Sequence, residues 1–305
     1  MKNNKSMPYY KQNRLKQLRA FCFAAKNGSI SKAAEQLFLS QPSVSLQIKA
    51  LENELGITLF ERRGPVISLT PEGEKLHTIA RPLMEGIDAL PEMLAEELGN
   101  LQSGKLRIAA GESTMLHILP EYVRRFHEVY PGIQVHLNNV TGRDGMAMLR
   151  NDEVELAIGS MATNESDIDY HPLFEYPTVL ICAKDHPLAS KKKISLKDIS
   201  PYGLILPPKN LHTWGMVELA FRQRGLPYNV CVQAGGWEVI KKYVAQGTGV
   251  SIVSAVCLAE NNDLHVHDLD KYFSARTYGV VLRTGKYLSP PAKRFIELMS
   301  PNFFS

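Results

Sequence analysis

The sequence predicts a mixed α/β chain in two parts: a small basic helical domain, then a linker helix leading into a larger two-lobed α/β domain. Three observations carry that prediction. At 305 residues the chain has room for about two domains of ~150 residues each. Its charge is uneven, with 12 Lys and Arg against 6 Asp and Glu in residues 1–75 and 23 against 25 in the remainder. That is the distribution of a polyanion-binding module joined to a near-neutral partner domain. Near residue 104 the apolar pattern changes from helical spacing to strands alternating with helices. With 44% hydrophobic and 22% charged residues the composition is ordinary. No stretch has the ~18–20 uninterrupted apolar residues of a membrane helix, and the first thirteen residues are polar, without a signal-peptide core. A cytoplasmic protein without membrane association is expected. Cysteines at 22, 182, 231 and 257 form no Cys-x-x-Cys pair and suit free thiols in a reducing compartment.

Residues 1–13 read as a polar extension. In the first helix, Leu15, Leu18, Phe21, Cys22 and Ala25 recur every three or four residues and share one face up to Asn27-Gly28. Ser29 or Ser31 can cap a short second helix, Ser31 to Leu37, whose Ala33-Ala34 pair lets a neighbour approach closely. After a turn at Phe38-Leu39, Ser40 is suited to cap a third helix with Pro42 in its first turn, a buried stripe of Val44, Ile48, Leu51 and Leu55, and Gly56 at its end. The opposite face carries Gln41, Ser43, Ser45, Gln47 and Lys49, side chains able to meet base edges and phosphates with few acids to repel DNA. Beyond it, two short strands flank Arg62-Arg63-Gly64-Pro65, a basic wing.

The ordered run Ala33-Ala34-x-x-Leu37, Ser40-Gln41-Pro42-Ser43-Val44-Ser45, Gln47-Ile48, Leu51-Glu52, Leu55-Gly56, Leu59-Phe60, Arg62 and Thr70-Pro71-x-Gly73 resembles the winged helix-turn-helix of LysR-type transcriptional regulators. The resemblance implies base-edge contacts from Gln41, Pro42, Ser43 and Ser45, and phosphate contacts from Lys49, Arg62 and Arg63. Leu46 departs from the polar or basic residue many relatives carry. The DNA-binding domain is expected over 14–72.

Over 73–99 a linker helix is expected. Leu76, Leu83 and Leu90 are seven apart, and Ala80, Ile87 and Leu94 form a second such series, so the two make an apolar seam for dimerisation through Leu76, Leu83, Ile87 and Leu90. Pro82 and Pro91 predict a bent or divided helix. Residues 100–104 break the pattern as a hinge.

From Lys105 to Gly159 strands and helices alternate, including one helix read from Leu116 to Tyr130, and a second such unit follows from Thr178 to Val253, which predicts parallel sheets. Two crossings near 181 and 256 give lobe I (about 104–180 and 257–305) and lobe II (about 181–256). Leu119-Pro120, Leu156-Ala157-Ile158-Gly159, His186-Pro187-Leu188 and Val244-x-x-Gly247-x-Gly249-Val250 extend the family resemblance over the rest of the chain. The fold class expected is α/β with an N-terminal all-α winged helix-turn-helix and a linker helix, and the resemblance implies a two-lobed, periplasmic-binding-protein-like effector domain over 104–305. Within the family, the sulfur-assimilation and cysteine-biosynthesis regulators are the subgroup most resembled, through Val239-Ile240-Lys241-x-Tyr243-Val244.

Ligands of such sheets bind at strand carboxyl ends. Ser113, Thr114, Ser160 and Thr213 are the candidate effector contacts, and Gly111 to Thr114 and Gly235-Gly236-Trp237 offer free N–H groups where helices open. A small anion or carboxylate is expected. Glu112, if it faces the cleft, would instead favour a cationic or neutral ligand. Catalytic residues, metal and cofactor are not expected: there is no Gly-x-Ser-x-Gly, His-Glu-x-x-His or Walker A motif. His265-Val-His267 supplies two imidazoles on one strand face, too few for a metal, and reads as a polar surface strand. The function predicted is a ligand-responsive regulator that binds double-stranded promoter DNA as a homodimer or homotetramer and works with RNA polymerase. The alternative is a two-lobed small-molecule-binding protein or enzyme with an N-terminal assembly domain.

Overall fold

The computed structural model describes residues 14–63, 66–99, 101, 103–161, 165–258 and 263–304. The extension expected over 1–13 and the Gly64-Pro65 tip of the wing lie outside the described residues. The chain divides into two compact units, Met1–Gly99 with Gly285–Ser289, and Asn100–Thr284 with Pro290–Ser305.

The first unit contains α1 (Arg14–Asn27), α2 (Ile30–Gln36), α3 (Gln41–Leu55), β1 (Phe60–Arg63), β2 (Val66–Leu69), α4 (Pro71–Asp88) and α5 (Leu90–Glu97). Ser29 caps α2 by accepting from the Lys32 amide, and Thr70 caps α4 by accepting from the Gly73 amide. Phe21, Ala24, Ala33, Val44, Ile48, Leu51 and Leu59 are buried to 2% exposure or less in one core. The Phe21 and Phe60 rings, 5.4 Å apart, join α1 to the β1–β2 hairpin. Burying each such large side chain stabilises the unit by about 1.5–3 kcal/mol. The expected linker helix divides at Ala89: Pro82 is carried inside α4, and Pro91 occupies the first turn of α5, where its missing N–H costs nothing. Far along the chain, Lys286 and the Tyr287 amide both meet the Glu85 carboxylate on α4, at 3.2 Å each.

The second unit begins with lobe I: β3 (Gly104–Ala110), α6 (Glu112–His117), α7 (Leu119–Val129), β4 (Ile133–Asn139), α8 (Gly142–Arg150), β5 (Leu156–Gly159) and β6 (Ile168–Tyr176). Lobe II follows: β7 (Thr178–Ala183), α9 (Leu196–Ile199), β8 (Gly203–Leu206), α10 (His212–Arg222), β9 (Asn229–Gln233), α11 (Trp237–Ala245), β10 (Ser251–Ser254) and β11 (Leu264–Asp268). The chain then returns to lobe I as β12 (Arg276–Arg283) and α12 (Pro290–Met299). The lobe I sheet has the order β4-β3-β5-β12-β6, and lobe II has a β10-β7-β11 sheet and a β8-β9 pair.

Several expectations are corrected. The sheets are not parallel throughout: β3 is parallel to β4 and β5, and β8 to β9, but β12 runs antiparallel to β5 and β6, and β7 antiparallel to β10 and β11. Because β11 pairs with β7, the return crossing lies between Asp268 and Arg276 instead of near 256, and residues 264–268 belong to lobe II. The first crossing falls at Pro177, between β6 and β7. The helix read from Leu116 to Tyr130 is two, α6 and α7, divided at Ile118 just before Pro120. His267 is buried, with Nε2 2.9 Å from the Leu188 carbonyl oxygen, so this part of the strand is not surface.

All four cysteines are free. Burial pushes Cys22 and Cys257 up to about 12 and Cys182 up to about 11, leaving them as unreactive thiols. Among the described residues, no helix is long and apolar enough to cross a membrane.

Gly279 is a point of tight constraint. The register between β12 and β6 shifts between Tyr278 and Gly279, and a Cβ at Gly279 would overlap the carbonyl of His171 on β6. Since backbone on both sides must move to admit a methyl group, Gly279→Ala should lower stability by about 1–3 kcal/mol, measured as a fall in the urea midpoint of the full chain with unchanged m-value.

Candidate functional site

The outward face of α3 is built by local chemistry. The Ser40 hydroxyl accepts from the Ser43 amide at 3.3 Å, Pro42 occupies the first turn, and Gly56, at φ 68°, closes the helix with its amide donating to Glu52. Burial of Val44, Ile48 and Leu51 turns the opposite face out, leaving Gln41, Pro42 and Lys49 exposed and Ser43 and Ser45 half-buried. These side chains are already ordered against one another: the Ser40 and Ser43 hydroxyls are 2.8 Å apart, and Gln41 Nε2 donates to Ser45 Oγ at 3.0 Å. Arg62 and Arg63 lie on β1, but their side chains are outside the described residues. Sequence reading treats Phe38 as a turn residue and nothing more. It is 96% exposed and holds φ 55°, a left-handed conformation uncommon for an aromatic residue, shortly before α3. Three successive apolar residues at 37–39 in a turn are the signal.

The apolar seam of α4 and α5 is split in use. Leu76, half-buried, packs with buried Ala80 against the core of its own unit. Leu83, Ile87, Leu90 and Leu94 remain exposed, joined by Ile79.

In the second unit a cavity of about 360 Å³ opens at the junction of the lobes, lined by Ser160 beyond β5, by one side of α10, and by the 272–277 segment that leads into β12. Arg276, the first residue of β12, organises it. Its Nε donates to Ser160 Oγ at 2.7 Å, a terminal guanidinium nitrogen reaches Thr213 Oγ1 at 3.5 Å, and the guanidinium lies 5.7 Å from the centre of the Tyr278 ring. Among the described residues no carboxylate pairs with it. His212 at the cavity wall is held below its ordinary range by burial and then by the Arg276 charge, so it faces the cavity as a neutral imidazole at pH 7. Ser160 and Thr213 are thus brought together across the lobes, although 53 positions separate them in sequence. Sequence reading misses Arg276; it stands in no motif, and its importance comes from neighbours 63 and 116 residues away.

Ser113 and Thr114 are buried in α6 and do not line this cavity. Their neighbour Glu112 answers the question of its own direction: its Oε2 accepts the Trp237 amide at 2.8 Å, capping α11 across the lobes. Gly236, at φ 87°, brings the backbone within reach, and a Cβ there would stand 3.2 Å from Glu112 Oε1. A second contact joins the same two helices. Glu238 Oε1 binds Lys241 Nζ at 2.6 Å and lies 3.4 Å from His117 Nε2, while Lys241 also donates to the Cys257 carbonyl at 2.7 Å. Burial, then the Lys241 charge, holds His117 below its ordinary range. The α11 terminus, expected to be free for an external anion, is therefore taken by the chain's own carboxylate. Among the described residues no cluster of His, Cys, Asp or Glu could hold a metal ion.

Residues 15–74 match the family model of a bacterial regulatory helix-turn-helix protein, lysR family, and residues 99–303 match that of a LysR substrate binding domain. The chain is 32% identical over 289 residues to a RuBisCO operon transcriptional regulator of Allochromatium vinosum, covering 93% of this chain and 95% of that protein. It is 30% identical over 283 residues to the HTH-type transcriptional regulator CysB of Haemophilus influenzae, covering 91% and 86%, in keeping with the subgroup expected from the sequence. Among solved structures it resembles a full-length OxyR point variant from Pseudomonas aeruginosa, with a TM-score of 0.66, 25% identity and coverage of 94% and 93%.

The exposed polar groups of α3 generate a measurable contrast. In fluorescence anisotropy, Gln41→Ala or Ser43→Ala should cut the discrimination between a selected duplex and a random one by about 1–3 kcal/mol for each lost base contact. Lys49→Ala should weaken both duplexes alike and lower the salt slope by about one.

Proposed function

The chain belongs to the LysR family of bacterial transcriptional regulators, ligand-responsive DNA-binding proteins and not enzymes, and from that premise we propose that its effector is a small anion or carboxylate seated against Arg276. The observation that carries this reading is a partly buried guanidinium that faces a cavity beside the Ser160 and Thr213 hydroxyls and has no carboxylate partner among the described residues. A carboxylate or oxyanion would supply the missing charge and accept from the guanidinium in the strong, paired geometry that arginine favours. Ser160 would orient it, Thr213, buried outside the cavity lining, would hold the guanidinium in place, and the capped α11 terminus would take no part. Since Arg276 and Ser160 belong to lobe I and His212, on the cavity wall, to lobe II, a ligand touching both lobes favours the arrangement that brings them together, to the extent of its differential affinity for it.

The regulator works in the cytoplasm on promoter DNA, in contact with RNA polymerase, as a homodimer or homotetramer assembled through Leu83, Ile87 and Leu90. The support for assembly is a stripe of large apolar side chains left 36–58% exposed on α4 and α5.

Isothermal titration of the full chain with sulfate, phosphate, thiosulfate and small organic acids tests the effector class. At least one should bind, and Arg276→Gln should weaken it about 10- to 100-fold, the weight of a charge-assisted hydrogen bond. Binding of every such anion unchanged by that substitution would overturn the assignment. In sedimentation, Leu83→Asp with Ile87→Asp should shift the protein to monomer, because each places an unpaired carboxylate in the proposed seam.

A further inference from the structure

One side chain on the DNA-facing surface does not fit hydrogen-bonded base readout. Leu46 is 68% exposed on α3, and its angular position on the helix is opposite the buried stripe of Val44, Ile48 and Leu51. Single exposed leucines are ordinary on protein surfaces. This one differs in its place: Pro42 precedes it by one turn on the same face, Ala50 follows by one turn, and both are exposed. Gln41 and Ser45, bonded to each other, flank this apolar strip.

We infer that Leu46 is a specificity-determining residue that reads the C5-methyl group of thymine in the major groove. The inference rests on α3 being the recognition helix. A leucine has no hydrogen-bonding atom, so among the groups that base pairs present in the major groove the thymine methyl is the one it can favourably desolvate. Against the cytosine amino group or the guanine O6 and N7 acceptors, the same side chain would exclude water without replacing its hydrogen bonds, which is unfavourable. Leu46 thereby selects for thymine by contact and against G·C pairs by desolvation. Ser43 and Gln41 supply the hydrogen-bonded part of the same readout.

The test uses the full chain and a duplex selected by the wild-type protein from a random library, with each thymine replaced in turn by deoxyuridine. That exchange removes the methyl group and leaves Watson–Crick pairing intact. For wild type, at least one replacement should weaken binding about four-fold, the equilibrium weight of a buried methyl-sized contact. In Leu46→Ala the thymine duplex should bind more weakly and the deoxyuridine replacement at that position should have no further effect; in Leu46→Met the sensitivity should persist. Wild-type binding that is sequence-selective yet indifferent to deoxyuridine at every position would overturn the inference. So would a Leu46→Ala protein that keeps the four-fold sensitivity, since the methyl would then be read by another residue such as Pro42. Failure of the underlying reading is seen separately, as undiminished discrimination in Gln41→Ala and Ser43→Ala.

Discussion

The ligand-binding unit depends on where β12 runs. This strand reaches lobe I from lobe II and fills the gap between β5 and β6, hydrogen-bonding to both. Without it the sheet would end at β5, and the core packed on Ala109, Leu149, Val154, Ala157 and Ile168 would lose Val281, which β12 buries to 5% exposure. The place exists because residue 279 has no side chain: the His171 carbonyl occupies the space a Cβ would need. The same constraint sets the chemistry, since a strand fixed three residues later holds Arg276 at the strand's entry, beside Ser160 and Thr213. Backbone packing and the placement of this cation are thus two results of one close approach.

What can be read in advance follows the range over which each signal acts. Ser40, Pro42 and Gly56 act within a helical turn of their own positions, and α3 begins and ends where they indicate. Ser29, likewise, caps α2. The strand partners of β6 and β12 are set across more than 100 residues, and β6 shows no regular alternation of buried and exposed positions to announce it. Alternation of elements predicts the parallel pairs β3-β4, β3-β5 and β8-β9, but it carries no signal for the antiparallel pairs that β12 makes with β5 and β6 or that β7 makes with β10 and β11.

Periodicity identifies an apolar face without identifying what covers it. Leu76 and Leu83 occupy equivalent places in a heptad, yet Leu76 belongs to the core of its own unit while Leu83 is 58% exposed. The candidate ligand contacts divide in the same way. Ser160 and Thr213 meet at one guanidinium, whereas Ser113 and Thr114 are consumed by the packing of a six-residue helix. Hydroxyls next to strand ends are a common pattern, and the cation that joins Ser160 to Thr213 is visible in sequence only as one arginine among many.

The carboxylate of Glu112 has a consequence for what the cleft can register. A group tethered to the same molecule acts at an effective concentration that does not change with the surrounding solution, commonly in the millimolar range or above. With Glu112 on the Trp237 amide, the positive end of the α11 dipole is occupied by a resident competitor. A free anion at micromolar abundance does not displace it by mass action. Among the described residues no carboxylate occupies the Arg276 guanidinium in the same way.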